Sequence, residues 1–109
     1  MMKMVMCVVD DIDAYSLLDA LSDGGFMATK LASSGGFLRR GNTTLLIGVE
    51  DDKKDDLLEL VRKICKPRRQ IVPVSPVFAM EESVIPTDVE VKMGGAVVFV
   101  LDVVENFKL

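Results

Sequence analysis

Two segments of the chain are apolar almost without interruption, and two others repeat their apolar residues at helical spacing. Met2 to Val9, rich in valine and methionine, reads as a strand buried on both faces, and Ala96 to Val104 reads the same way. Ala14, Leu17, Leu18 and Leu21 mark one helix, with Asp11 or Asp13 as its cap and Gly24-Gly25 as its stop. Met27 to Ser34 and Thr43 to Val49 read as two strands around a Gly-Gly-Phe turn. A second helix starts at Asp51-Asp52, presents Leu57, Leu58, Val61, Ile64 and Cys65, and ends before Pro67. Lys66 to Pro86 holds all four prolines and is expected to be a long loop, a kind of segment that usually carries function or is disordered. Val89, Val91 and Met93 then alternate with Asp88, Glu90 and Lys92 as a half-exposed strand, and Gly94-Gly95 turns the chain.

The order is β-α-β-β-α-β with a small extra strand before the last, which is the ferredoxin-like split βαβ arrangement of the α+β class. Two helices on one face leave the other face of the sheet open. With the first and last strands apolar on both sides, that face would be a large exposed patch on a monomer, so a homo-oligomer is expected. At 109 residues the chain reads as a single domain, 1–109, without internal repeat, low-complexity segment or linker.

Composition narrows the function. Half of the residues are apolar, which argues against disorder, and the formal charge of −4 argues against a general nucleic-acid coat. No histidine is present, which removes the commonest general base and metal ligand, and no nucleophile–base pair is visible. Cys7 and Cys65 lie far apart in apolar settings without a CxxC spacing, and are expected to be buried thiols rather than a zinc or redox site. Asp10, Asp11, Asp51 and Asp52 stand where helices begin, so capping accounts for them better than catalysis. The apolar start is too short for a signal peptide's core, and no stretch approaches a membrane span, so a cytoplasmic protein with no membrane partner is expected.

The densest chemistry lies in Ala28 to Thr44, ATKLASSGGFLRRGNTT. Gly35 and Gly36 allow positive φ and close approach of the backbone, and Phe37 offers a flat face on which a purine could stack. Leu38 could pack beside that base. Asn42 presents a donor and an acceptor side by side, as an adenine edge requires, although it could equally be a turn residue. Thr29 is either a hydroxyl donor to phosphate or a β-branched residue favoured in a strand. Arg39 and Arg40 suit phosphate but also suit a solvated turn, and Arg62, Lys63, Lys66, Arg68 and Arg69 cluster where cations complement a helix C-terminus. Gly48 interrupts an apolar strand, a position that often marks close approach of another group.

This run resembles the signature of the cyclic-di-AMP receptor family, small trimeric proteins related to the PII-type signal proteins. MKMVMCVVDDID, LLIGVEDDK and VEVKMGGAVVFVLDV are similar to the family as well, so the likeness covers nearly the whole chain. It implies a PII-like homotrimer that binds cyclic-di-AMP at its subunit clefts, is not an enzyme, holds no metal, and signals to an unidentified protein partner as its loops become ordered. The ligand-binding residues so implied are Met27, Ala28, Thr29, Gly35, Gly36, Phe37, Leu38, Asn42 and Gly48. The chain departs from the family at Met27, where an arginine often stands two before the site threonine, and in its tail, Asn106-Phe107-Lys108-Leu109. A PII-type regulator of ATP or ADP, and a trimeric interaction module with a degenerate site, are the alternatives.

Overall fold

A computed structural model of the protein describes residues 1–31, 41–72 and 89–109. Strand β1 (Met2–Asp10) runs directly into helix α1 (Asp11–Asp23), followed by β2 (Ala28–Leu31), β3 (Asn42–Glu50) and helix α2 (Asp51–Ile64). Then come β4 (Arg68–Val72), β5 (Val89–Met93) and β6 (Ala96–Asp102). The main sheet has the order β2-β3-β1-β6 with every neighbouring pair antiparallel, while β4 and β5 pair in a separate two-stranded ribbon. Within the main sheet this is the expected α+β split βαβ order, with both helices on one face.

Strand periodicity decides what the helices cover. Val5, Cys7 and Val9 of β1 and Leu45, Ile47 and Val49 of β3 point to the helix side and are buried. They meet Ala14, Leu17 and Leu21 of α1 and Leu57, Val61 and Cys65 at the α2 end in one core, with Phe26, Ala28, Leu60 and Val98 packed at its border. Truncating a side chain such as Leu17, which is fully buried, should cost about 2–5 kcal/mol.

The first and last strands of the chain, β1 and β6, are not buried on both faces within one chain, contrary to the sequence expectation. Met4, Met6 and Val8 on the face away from the helices are only half-buried, and Val97, Phe99 and Leu101 of β6 are about half exposed. The helices cover one side only, and β6 is an edge strand.

Helix α1 ends as its sequence requires. Gly25 takes φ +82°, the Gly25 N–H donates to the Ser22 carbonyl and the Phe26 N–H to the Leu21 carbonyl. That bond pair is a Schellman motif, and Phe26 seals it by packing on the core. The helix starts differ from expectation. Neither α1 nor α2 has a side-chain cap, and Asp10 and Glu50 occupy the N-cap positions. Asp51 and Asp52 sit in the first turn of α2, and Arg62 and Lys63 in the last, where they complement the helix dipole.

The expected Lys66–Pro86 loop is in part a strand. Arg68–Val72 pairs with Val89–Met93 from Arg68↔Met93 to Val72↔Val89. The strand begins immediately after Pro67, and its first three residues, Arg-Arg-Gln, carry no apolar alternation. Residues 73–86 of that stretch lie outside the described residues.

Candidate functional site

The face of the sheet away from the helices collects several of the residues singled out in the sequence. With Thr43, Leu45, Ile47 and Val49 turned inward, Asn42, Thr44, Leu46 and Gly48 share the open face of β3. Across the sheet Asn42 stands opposite Asp10, Thr44 opposite Val8, Leu46 opposite Met6 and Gly48 opposite Met4. Thr29 pairs with Leu46 from the other side, so it is exposed on the same face. Asn42 lies four residues from Leu46, ~13 Å along the strand. Thr29, Asn42 and Gly48 thus rim an apolar floor made of Leu46, Met6 and Val8.

Ala28 pairs with Ile47 and its side chain packs at the border of the core, so only its backbone is available to a ligand. Met27 precedes β2 and is 86 % exposed. Gly35, Gly36, Phe37 and Leu38, with Arg39 and Arg40, lie outside the described residues. A Cβ on Gly48 would meet only the Met2 sulfur, at 3.8 Å, which is ordinary contact. Among the described residues nothing in the chain therefore demands a glycine there.

A cleft of about 670 Å³ opens at the end of this face where β1, β3 and β6 meet the Gly94-Gly95 turn. Its walls are largely apolar, from Met6, Val8, Val97 and Phe99, and its polar groups come from Asp10 and Asn42. Of the expected site residues that are described, Asn42 alone lines it. Gly48 instead borders a second cleft of about 630 Å³, with Phe26, Glu50 and Lys53. Both Asp10 and Gly94 escaped the sequence reading as site residues, because one looked like a helix cap and the other like a turn.

The carboxylates of the Asp10–Asp13 turn make long-range contacts in place of caps. The Gly94 N–H donates to Asp10 Oδ2 at 2.7 Å. The Thr43 hydroxyl donates to Asp11 Oδ1 at 2.5 Å, and the Asp11 N–H donates to the Gly41 carbonyl at 3.1 Å. A Cβ on Gly41 would overlap the Asp11 carboxylate where it now lies, so a larger residue there would require that carboxylate to move. Asp13, a buried carboxylate, receives Arg68 Nη2 at 2.7 Å and Nη1 at 3.3 Å, and Nη1 also donates to the Lys66 carbonyl. The hydrogen bond to Asp13 holds the Arg68 pKa above its ordinary value. Arg68 is thus a structural partner of α1 rather than part of a free basic cluster.

Cys7 and Cys65 are buried free thiols, as expected from their surroundings, and burial pushes both up to about 11. Among the described residues no three side chains of metal-binding type converge, and no helix is long and apolar enough to cross a membrane.

Solved structures place this architecture. A functionally unknown protein from Pediococcus pentosaceus is 34% identical with a TM-score of 0.78, covering 99% of this chain and 97% of its own. A DUF3240-family protein from Shewanella baltica is 11% identical with a TM-score of 0.60, covering 99% and 96%. CPII from Thiomonas intermedia, solved with ADP, AMP and acetate, is 16% identical with a TM-score of 0.53, covering 94% and 85%. The last two are alike in fold alone, and CPII makes that fold PII-like. The sequence itself matches the family described as cyclic-di-AMP receptor over residues 2–109, and the chain belongs to that family.

Proposed function

We propose that the protein is a non-enzymatic receptor that binds cyclic-di-AMP in clefts between the subunits of a homotrimer. The observation that carries this reading is the common face of Thr29, Asn42 and Gly48, set around an apolar floor in a chain of the receptor family. Thr29 offers a hydroxyl to phosphate, Asn42 reads an adenine edge, and Gly48 leaves room for a ring against the backbone. Gly35, Gly36, Phe37 and Leu38 complete the site, with Phe37 stacking on a base. The open apolar face supports assembly, because Val97, Phe99 and Leu101 are half exposed in the single chain and need a cover. Ligand orders loops around the cleft, and those loops present a surface to a protein partner. Ligand shifts that equilibrium by its differential affinity for the two loop states.

Titration calorimetry with cyclic-di-AMP, with ATP and cyclic-di-GMP as controls, tests the reading. Saturable binding of cyclic-di-AMP alone supports it. Tighter binding of ATP would favour a regulator of mononucleotides, and heat from none of the three would leave a trimeric module with a degenerate site.

A further inference from the structure

We infer that the Asp10–Asp13 turn is a junction between the base reader and the ribbon, with Asp11 the positioning residue for Asn42 and Asp10 and Asp13 holding the root of β4 and β5. The role of Asn42 rests on the receptor reading above; the junction itself rests on geometry.

Asn42 is bracketed by contacts with a single residue. Asp11 bonds Gly41 on one side of it, through its backbone N–H, and Thr43 on the other, through its carboxylate. Thr43 is 2% exposed, so its hydroxyl has no water to turn to, and Gly41 can carry no Cβ without striking the Asp11 carboxylate. A shift of the first residues of β3 must therefore move Asp11. On the same turn, Asp10 accepts the Gly94 N–H just after β5, and Asp13 pairs with Arg68 at the first residue of β4. Gly94 has φ +89°, and a Cβ there would overlap the Lys66 carbonyl, the same carbonyl that accepts from Arg68. Both strands of the ribbon are thus pinned at their roots to four consecutive residues that also set the start of β3.

Such a contiguous hydrogen-bonded network is what carries coupling between two places, and coupling is reciprocal. A ligand that draws on Asn42 moves the Gly41–Thr43 segment, hence Asp11, and through one turn of chain the carboxylates that hold the ribbon. A partner that fixes the ribbon in turn tightens the ligand.

Two measurements test this. In the first, Thr43→Val removes the hydroxyl while keeping the shape, and Thr43→Ser restores it. Valine should lower the ratio of cyclic-di-AMP to cyclic-di-GMP affinity by about tenfold, the same loss expected of Asn42→Ala, and serine should recover it. Adding Asn42→Ala to Thr43→Val should then cost nothing more. An unchanged ratio in a folded Thr43→Val protein overturns the positioning role. The second measurement needs no ligand, so it stands even if the wild type binds neither dinucleotide and the receptor reading fails. Amide hydrogen exchange of the full chain is followed at Gly94 and Asp11, with Phe26 as a remote reporter. Arg68→Ala should speed exchange at Gly94 and Asp11 together by about tenfold and leave Phe26 unchanged. Asp13→Asn, which keeps the side-chain shape, should do the same, while Arg69→Ala, on the exposed pair with Glu90, should change none of them. Faster exchange at Gly94 with Asp11 unmoved would show two separate anchors and overturn the junction.

Discussion

Single residues divide here into those that hold the fold and those that the fold leaves available. Thr29 and Asn42 stand on the open face and contribute nothing to the hydrophobic core. Thr29→Ala and Asn42→Ala are therefore expected to keep the native melting temperature and assembly while weakening cyclic-di-AMP. Losing a hydrogen bond to a charged phosphate oxygen suggests about 1.5–3 kcal/mol for Thr29, and calorimetry on the two folded variants reads it directly. Wild-type affinity in both would move the site elsewhere. Gly48 gives a sharper test, because the described residues leave room for a Cβ at that position. Gly48→Val also raises strand propensity. Its monomer fold should survive, as circular dichroism would show, whereas ligand binding should fall by more than tenfold if a ring sits against that backbone. Undiminished binding by the valine variant would remove Gly48 from the site. Thr43 and Gly41 belong to the opposite group. Each is fixed by Asp11, and nothing in the local sequence joins residues 30 or more positions apart, so that role became visible only in the fold.

At the scale of elements, the apolar patterns were legible because burial on one helix face or one sheet face writes a period into the sequence. Both helices follow from such a period, while β1 and β6 follow from nearly continuous apolar runs and β3 from its stretch after the Gly-Gly-Phe turn, all to within a few residues of their ends. β4 does not, because among the described residues it adds nothing to the core: it pairs with β5, Gln70 and Ile71 are exposed, and Arg68 and Arg69 pair with Asp13 and Glu90. The cleft residue Asp10 was hidden for a related reason. A carboxylate at a helix start reads as a cap, and only tertiary structure reveals that its acceptor faces the Gly94 amide. The two elements that contribute thiols to the core yield a pH prediction. Burial raises Cys7 and Cys65 from 9.0 to about 11, so the folded state holds their protons more tightly than the unfolded chain does. The stability this contributes is complete below about pH 9 and is lost as the pH climbs through about 11. Urea unfolding across that window should show falling stability in the wild type and a flatter profile in Cys7→Ala with Cys65→Ala, whatever the offset at neutral pH. Parallel profiles would mean that other groups govern the alkaline limit.

For the whole molecule, the decisive feature is the asymmetry of the main sheet. One face is sealed by two helices, and the other carries Met4, Met6, Val8, Leu46, Val97, Phe99 and Leu101 with no cover from the described residues. Phe99 stands opposite Met6 near the middle of this face and is 52% exposed. Fully burying an exposed phenylalanine contributes about 1.5–3 kcal/mol; with about half of Phe99 already covered, each chain of a trimer would gain roughly half of that, along with the contribution of its methionine and valine neighbours. A glutamate at the same position would instead place a carboxylate in a low-dielectric contact at a cost of several kcal/mol per ion. Phe99→Glu should therefore behave as a folded monomer, since the helix-side core of Val5, Leu17, Ile47 and Leu57 does not involve that side chain. Light scattering should give a trimer mass for the wild type and a monomer mass for the variant, with matching far-ultraviolet dichroism. Because the proposed clefts lie between subunits, the monomer should also lose cyclic-di-AMP. A variant that stays trimeric would place the interface on another face. A monomer that still binds at wild-type affinity would place the whole ligand site within one chain, at the cleft between Asn42 and the Gly94-Gly95 turn.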